Sequence, residues 1–108
     1  MSRDMKIPAA AVRGAIIETL RTVHDPEIPI NIYDLGLIYD VSVTEEGHAH
    51  IMMTLTSPMC PVAETLPVEV KERALMVEGV AECKVELTWE PPWDMSKIDE
   101  AGRLQLNL

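Results

Sequence analysis

Met52–Glu64, MMTLTSPMCPVAE, is the point at which the chain changes from one regular structure to another. Upstream, His50 to Thr56 sets Ile51, Met53 and Leu55 on one face, the alternation of a half-buried strand. Downstream of Pro61, Val62, Leu66, Val70, Ala74 and Val77 step along one face of a helix while Glu64, Lys71, Glu72 and Glu78 stay polar. Pro61 suits the first helical position, and Pro67 is expected to kink the helix or delay its regular start. Between strand and helix stand Thr56, Ser57 and the proline-flanked Cys60. A cysteine at a helix N-terminus meets free backbone N–H groups and the positive end of the helix dipole, and both favour thiolate over thiol.

Upstream of the junction, Leu37 to Thr44 alternates, with Tyr39, Val41 and Val43 opposite Asp40, Ser42 and Thr44. Glu45, Glu46 and Gly47 supply the turn, so this strand and the next form an antiparallel hairpin. Val12, Ile16, Leu20 and Val23 recur at helical spacing, which predicts an amphipathic helix over Ala9 to Val23. The loop HDPEIPINIYDLG follows, closed to helix by Pro26 and Pro29. Its length and its His24, Asp25, Glu27, Asn31 and Asp34 give it a functional character, although Asp25 and Asp34 also suit turns and caps.

Beyond the junction, Val80 to Trp89 alternates once more and sets Ala81, Cys83, Val85 and Leu87 on one side. The tail opens WEPPWDM, whose two tryptophans are expected to clamp it to the domain, with an exposed Trp93 at a partner interface as the alternative. Ser96 resembles a cap for a short helix over Lys97 to Leu104, which Gly102 weakens.

Helix, strand, strand, helix, strand and a short C-terminal helix describe an α/β (α+β) two-layer sandwich. The second helix returns the chain before the last strand, so that strand should lie parallel to its predecessor in a small mixed sheet, through a right-handed crossover. The 108 residues make one domain, 1–108, with a core over about 9–93 and a tail over 94–108.

Composition narrows the function. A net charge of −9 with no cluster of lysine and arginine opposes nucleic acid. No run is long enough to span a membrane, and the N-terminus has no signal-peptide core, which predicts a cytoplasmic protein. The two cysteines form no CxxC pair and read as free thiols, Cys83 as a small buried hydrophobe in a core-facing register. His48 and His50 share a strand face and read as solvated surface, with no third ligand nearby in sequence.

Three stretches together, DPEIPINIYDLGLIYDV (Asp25 to Val41), MTLTSPMCP (Met53 to Pro61) and VELTWEPPWDMSKI (Val85 to Ile98), resemble the small iron-sulfur assembly domain family that includes SufT and the PaaD-like proteins. The resemblance covers about residues 10–104. It implies the same α/β domain and a role in maturing iron-sulfur proteins, with Cys60 as the functional cysteine and Asp25, Glu27, Thr56 and Ser57 as its neighbours. It further implies iron-sulfur client or scaffold proteins as partners and a cluster or iron held transiently through Cys60, with none permanently bound. PaaD-like proteins carry a cysteine-rich C-terminal extension and SufT proteins a longer N-terminal region, so a stand-alone domain is expected here.

Two other readings stand beside this one. In the first the chain is an interaction adaptor that handles no metal. In the second it is an enzyme with Cys60 as nucleophile and His24 or a carboxylate as base, for which no local signature is present. A homodimer, in which two copies of Cys60 share one site, is compatible with each.

Overall fold

The computed structural model describes residues 7–25, 30–55 and 65–106. Its first helix, α1, runs Ala9–Leu20 and buries Val12, Ile16 and Leu20, the stripe expected of its spacing. Strand β1, Ile38–Val43, pairs antiparallel with β2, His48–Met53, with an irregularity between Ile38 and Asp40. Helix α2, Leu66–Leu75, then returns the chain to β3, Glu82–Leu87, which runs parallel to β2 with His48 opposite Glu82 and Met53 opposite Leu87. The sheet order is β1-β2-β3, which places the strand that leads to the cysteine motif at the centre. This is the small mixed sheet expected from the element order.

One layer is the sheet and the other is α1 with α2. Helix α1 packs on β1, α2 on β3, and the helices touch each other. Val41, Ala49, Ile51, Met53 and Cys83 from the sheet meet Val12, Ile16, Leu20, Leu66, Val70 and Ala74 from the helices in one apolar core. Arg13 lies above β1, where its Nε donates to the Val41 carbonyl at 2.7 Å. The opposite face of the sheet is polar, and on it His50 Nε2 lies 2.9 Å from Glu86 Oε1.

Several boundaries differ from the sequence expectation: α1 ends at Leu20 and not at Val23, β2 spans His48–Met53 where His50 to Thr56 was expected, and α2 ends at Leu75 and not at Val77. Helix α2 begins at Leu66, with Thr65 at its cap, and Pro67 stands in its first turn. There the missing N–H costs nothing, because the first-turn donors have no intrahelical partner anyway. Pro67 is thus a first-turn residue of α2 and does not kink it.

The tail departs from expectation at its cap. A short 3-10 turn over Met95–Lys97 is capped by Asp94, whose Oδ1 accepts from the Ser96 N–H at 2.8 Å. The last helix, α3, spans Glu100–Leu106 and is capped by Asp99, whose Oδ1 accepts from the Gly102 N–H at 2.9 Å. Gly102 is required for its small size: a Cβ there would lie 2.7 Å from Ile98 Cγ2 and 3.2 Å from the Asp34 carbonyl oxygen.

Candidate functional site

The loop between α1 and β1 is built as a closed frame. The Ile32 N–H donates to the Val23 carbonyl at 2.8 Å, the Asp25 N–H to Ile30 at 3.3 Å, and His24 and Asn31 form an isolated antiparallel bridge. The segment carrying Asp25 therefore leaves and re-enters the fold at one fixed point. Beneath it Val23, Ile30, Ile32, Leu35 and Leu37 are fully buried, so the frame rests on the apolar core. Gly36 closes its lower turn at φ 88°, a conformation open to glycine, and a Cβ there would collide with the Lys97 carbonyl of the tail.

The same frame reaches the root of the cysteine motif. The Leu37 N–H donates to Ile32 at 3.1 Å, and the Leu37 carbonyl accepts from the Thr54 N–H at 2.8 Å. The Thr88 N–H donates to Met53 at 2.9 Å, so the end of β2 is held from both sides. Thr54 and Leu55 are buried there. The acidic loop and the segment that leads into TSPMCP are thus rooted at neighbouring points.

Of the residues expected at the site, Asp25 is the one that lies within the described structure, and it is buried at 3% exposure. Glu27, Thr56, Ser57 and Cys60 lie outside the described residues. The helix described after them, α2, starts at Leu66. Among the described residues, no three of histidine, cysteine, aspartate and glutamate group as a metal site.

The second cysteine behaves as its register predicts. Cys83 is a free, buried thiol on β3, and burial pushes its pKa up against the opposing charge of Lys71. A thiol held neutral in this way is a poor nucleophile and a poor metal ligand. His50 is engaged with Glu86, whose carboxyl is lowered chiefly by that hydrogen bond.

The tail supports the frame from outside. Trp93 is half-buried, and its indole Nε1 donates to the Leu35 carbonyl at 2.8 Å. Trp89 is more open, at 41% exposure, and Met95 is 50% exposed. The Asp99 N–H donates to the Asp34 carbonyl at 2.9 Å, and the Tyr39 hydroxyl to the Pro91 carbonyl at 2.7 Å. The expected clamp is therefore present through Trp93.

Sequence reasoning named Asn31 and Asp34 as members of the loop but missed their joint role. The Asp34 N–H donates to Asn31 Oδ1 at 2.8 Å, and Asn31 Nδ2 donates to Asp34 Oδ2 at 2.9 Å. The N-x-x-D spacing was a usable signal for this reciprocal turn. Thr54 and Asp99 gave no such sign, because their surroundings come from distant parts of the chain.

Comparison with known proteins agrees with the resemblance drawn from the motifs. A family model described as iron-sulfur cluster assembly protein matches residues 13–87. A protein of Porphyromonas gingivalis named Fe-S protein maturation auxiliary factor is 46% identical over 91 residues, covering 84% of this chain and 87% of that protein. The Fe-S protein maturation auxiliary factor YitW of Bacillus subtilis is 38% identical over 98 residues, covering 91% of this chain and 96% of that one. A crystal structure of a domain of unknown function from Bacillus anthracis superposes with a TM-score of 0.86 at 34% identity, covering 93% of this chain and 95% of that one.

Proposed function

The chain belongs to the iron-sulfur cluster assembly protein family, and we infer from that membership that it acts as an auxiliary factor in the assembly or maturation of iron-sulfur proteins. The observation that carries this is the match over residues 13–87, which spans both the Asp25 loop and the Cys60 motif, together with relatives named as maturation factors across nearly the whole chain.

In this proposal a cluster or iron is cargo, not a resident cofactor. Cys60 supplies one soft thiolate ligand. A single thiolate cannot complete an iron-sulfur coordination sphere, so the remaining ligands come from a partner: a scaffold, a client or a second copy of the chain. That incompleteness makes the cargo easy to release. Asp25 and Glu27 are assigned to an oxygen ligand or a proton acceptor beside the sulfur, and Thr56 and Ser57 to hydrogen bonds with the sulfur or the cargo. Nearby carboxylates would raise the Cys60 pKa, which favours proton uptake on release. No helix among the described residues is long and apolar enough to cross a membrane, and we place the activity in the cytoplasm.

The test is anaerobic incubation with iron and sulfide, followed by absorption spectra of wild type and Cys60→Ser, alongside maturation of a client enzyme in cells that lack the native protein. A chromophore and a maturation activity that both depend on Cys60 are expected. If Cys60→Ser supports full maturation, the cysteine-centred proposal is wrong. An adaptor reading is favoured by the exposed Trp89 and Met95 beside the half-buried Trp93. It predicts that Trp93→Ala abolishes client binding while Cys60→Ser leaves both binding and maturation intact.

A further inference from the structure

Helix α2 is apolar on two sides. Leu66, Val70 and Ala74 are buried in the core, whereas Val68 and Leu75, seven positions apart and so on one helical face, are 52% and 41% exposed. Met76, at the C-cap, is 81% exposed beside Leu75. The core stripe alone holds the helix in place, so this second apolar face does nothing for the fold. Single exposed hydrophobes are ordinary, but here two adjacent ones each stand at a cleft. Met76 and Val77 line a cleft of about 410 Å³ with Thr19 and Thr22 of the α1 end. Leu75 lines a second, of about 370 Å³, with Ala81 and Cys83 at the start of β3. The pair forms a ridge with a hollow on either side.

Charge decides what the ridge can receive. Arg73 is engaged by Glu69 at 3.6 Å and by Thr22 Oγ1 at 2.7 Å, and Arg21 by Glu18 at 3.4 Å and Asp34 at 3.5 Å. Lys71 is then the remaining cation of this surface, against Glu72, Glu78 and Glu82, which are exposed and in no ion pair among the described residues. The rim carries an excess of negative charge in a chain whose net charge is −9. A second copy would bring the same carboxylates to the contact and another −9, and like charges oppose that occupant.

We propose that the outer face of α2, centred on Leu75 and Met76, is a docking surface for a partner protein that presents a basic amphipathic segment. Apolar side chains of the partner enter the two clefts, and its lysines or arginines meet Glu72, Glu78 and Glu82. Methionine suits the centre of such a contact, because its unbranched thioether repacks against different shapes. The surface uses no cysteine and lies apart from the polar bonds of the loop frame. It is compatible with the proposed function, whose cargo needs a partner, but it rests on its own observations.

The test is a heteronuclear NMR titration of the full chain, with calorimetry, using a short helical peptide of leucine and lysine in amphipathic order. Amide shifts are expected to concentrate on Val68, Glu72, Leu75 and Met76 and on Thr22 and Ala81 in the clefts, with an affinity that falls as salt is raised. The same peptide with glutamate for lysine, and an oligolysine without leucine, should each bind at least about tenfold more weakly. Replacing both Leu75→Ser and Met76→Ser should lower affinity for the leucine-lysine peptide by about tenfold or more. Glu72→Lys with Glu78→Lys should lower it too and flatten its salt dependence, a second readout that leaves the apolar ridge intact. Shifts centred elsewhere, at Trp89 and Met95 of the tail in particular, would overturn the proposal, as would equal binding of the glutamate peptide or full affinity in the serine variant. A dimer seen by sedimentation and dispersed by Met76→Ser would assign the face to a second copy and overturn it as well. Cys60→Ser should bind the peptide as wild type does, so failure of the cysteine proposal and failure of the docking surface are separately visible.

Discussion

The body of the domain and its loop end are made of different material. Where α1 and α2 pack on the sheet, every fully covered side chain is apolar, from Val12, Ile16 and Leu20 to Ile51, Val70 and Cys83. The buried polar and charged residues of the described structure, Asp25, Asn31, Asp34 and Thr54, are confined to the loop frame and the adjoining end of β2. The body gains from plain burial of area, which is non-directional and tolerant of exchange among hydrophobes. The loop end relies on directional bonds and carries acceptors that are not all satisfied, a pattern that stability alone does not select.

The largest effect should break the body. Ile51 is fully buried at the centre of the sheet, and Ile51→Ala is expected to cost about 2–5 kcal/mol by lost transfer energy and a residual cavity. Chemical denaturation should show one cooperative transition at a lower midpoint. If the loss were confined to local exchange near the mutation, the body would not be the single unit described.

Next in size is Gly36→Ala, at the seam between the loop frame and the tail. Left-handed backbone at a non-glycine residue costs roughly 1–2 kcal/mol, and the new Cβ would push into the Lys97 carbonyl. The tail should loosen first, seen as faster exchange of the Gly102 and Ile98 amides while the body amides stay protected. Trp93→Phe is milder. It removes the indole donor to Leu35 but keeps a ring, for an expected loss of about 1 kcal/mol, read as a shift of the denaturation midpoint.

The body was legible in the sequence because each of its elements carries its own period. The alternation of Ile51, Met53 and Leu55, the helical stripe of Val12, Ile16 and Leu20, and the register of Cys83 all reappear in the buried faces. Even the parallel pairing of β3 followed from a helix standing between two strands. The loop end was legible only as a motif. That Asp99 and not Ser96 caps α3, or that Gly102 serves a close approach to Asp34, depends on contacts between residues far apart in the chain, which no local pattern encodes. The start of α2 at Leu66 shows the same limit in small: Pro61 and Pro67 are both acceptable first-turn prolines, and local preference does not choose between them.

The smallest expected change in stability gives the finest test of the difference between the two regions. Thr54 is fully buried, and its Oγ1 has no hydrogen-bond partner. In the body such a position would be filled by valine, which has the same shape and no hydroxyl to strip of water. Thr54→Val should therefore leave the protein as stable as before or raise it by up to about 1 kcal/mol, since removing an unsatisfied polar group relieves its desolvation cost. Thr54→Ser keeps the hydroxyl but loses a buried methyl, so it should be the less stable of the two. A thermal midpoint at or above wild type for valine, and below it for serine, would mark Thr54 as a residue at which the fold accepts a cost. A clear loss of stability in Thr54→Val would mean that the hydroxyl is bonded in solution, and that the loop end is built for stability after all.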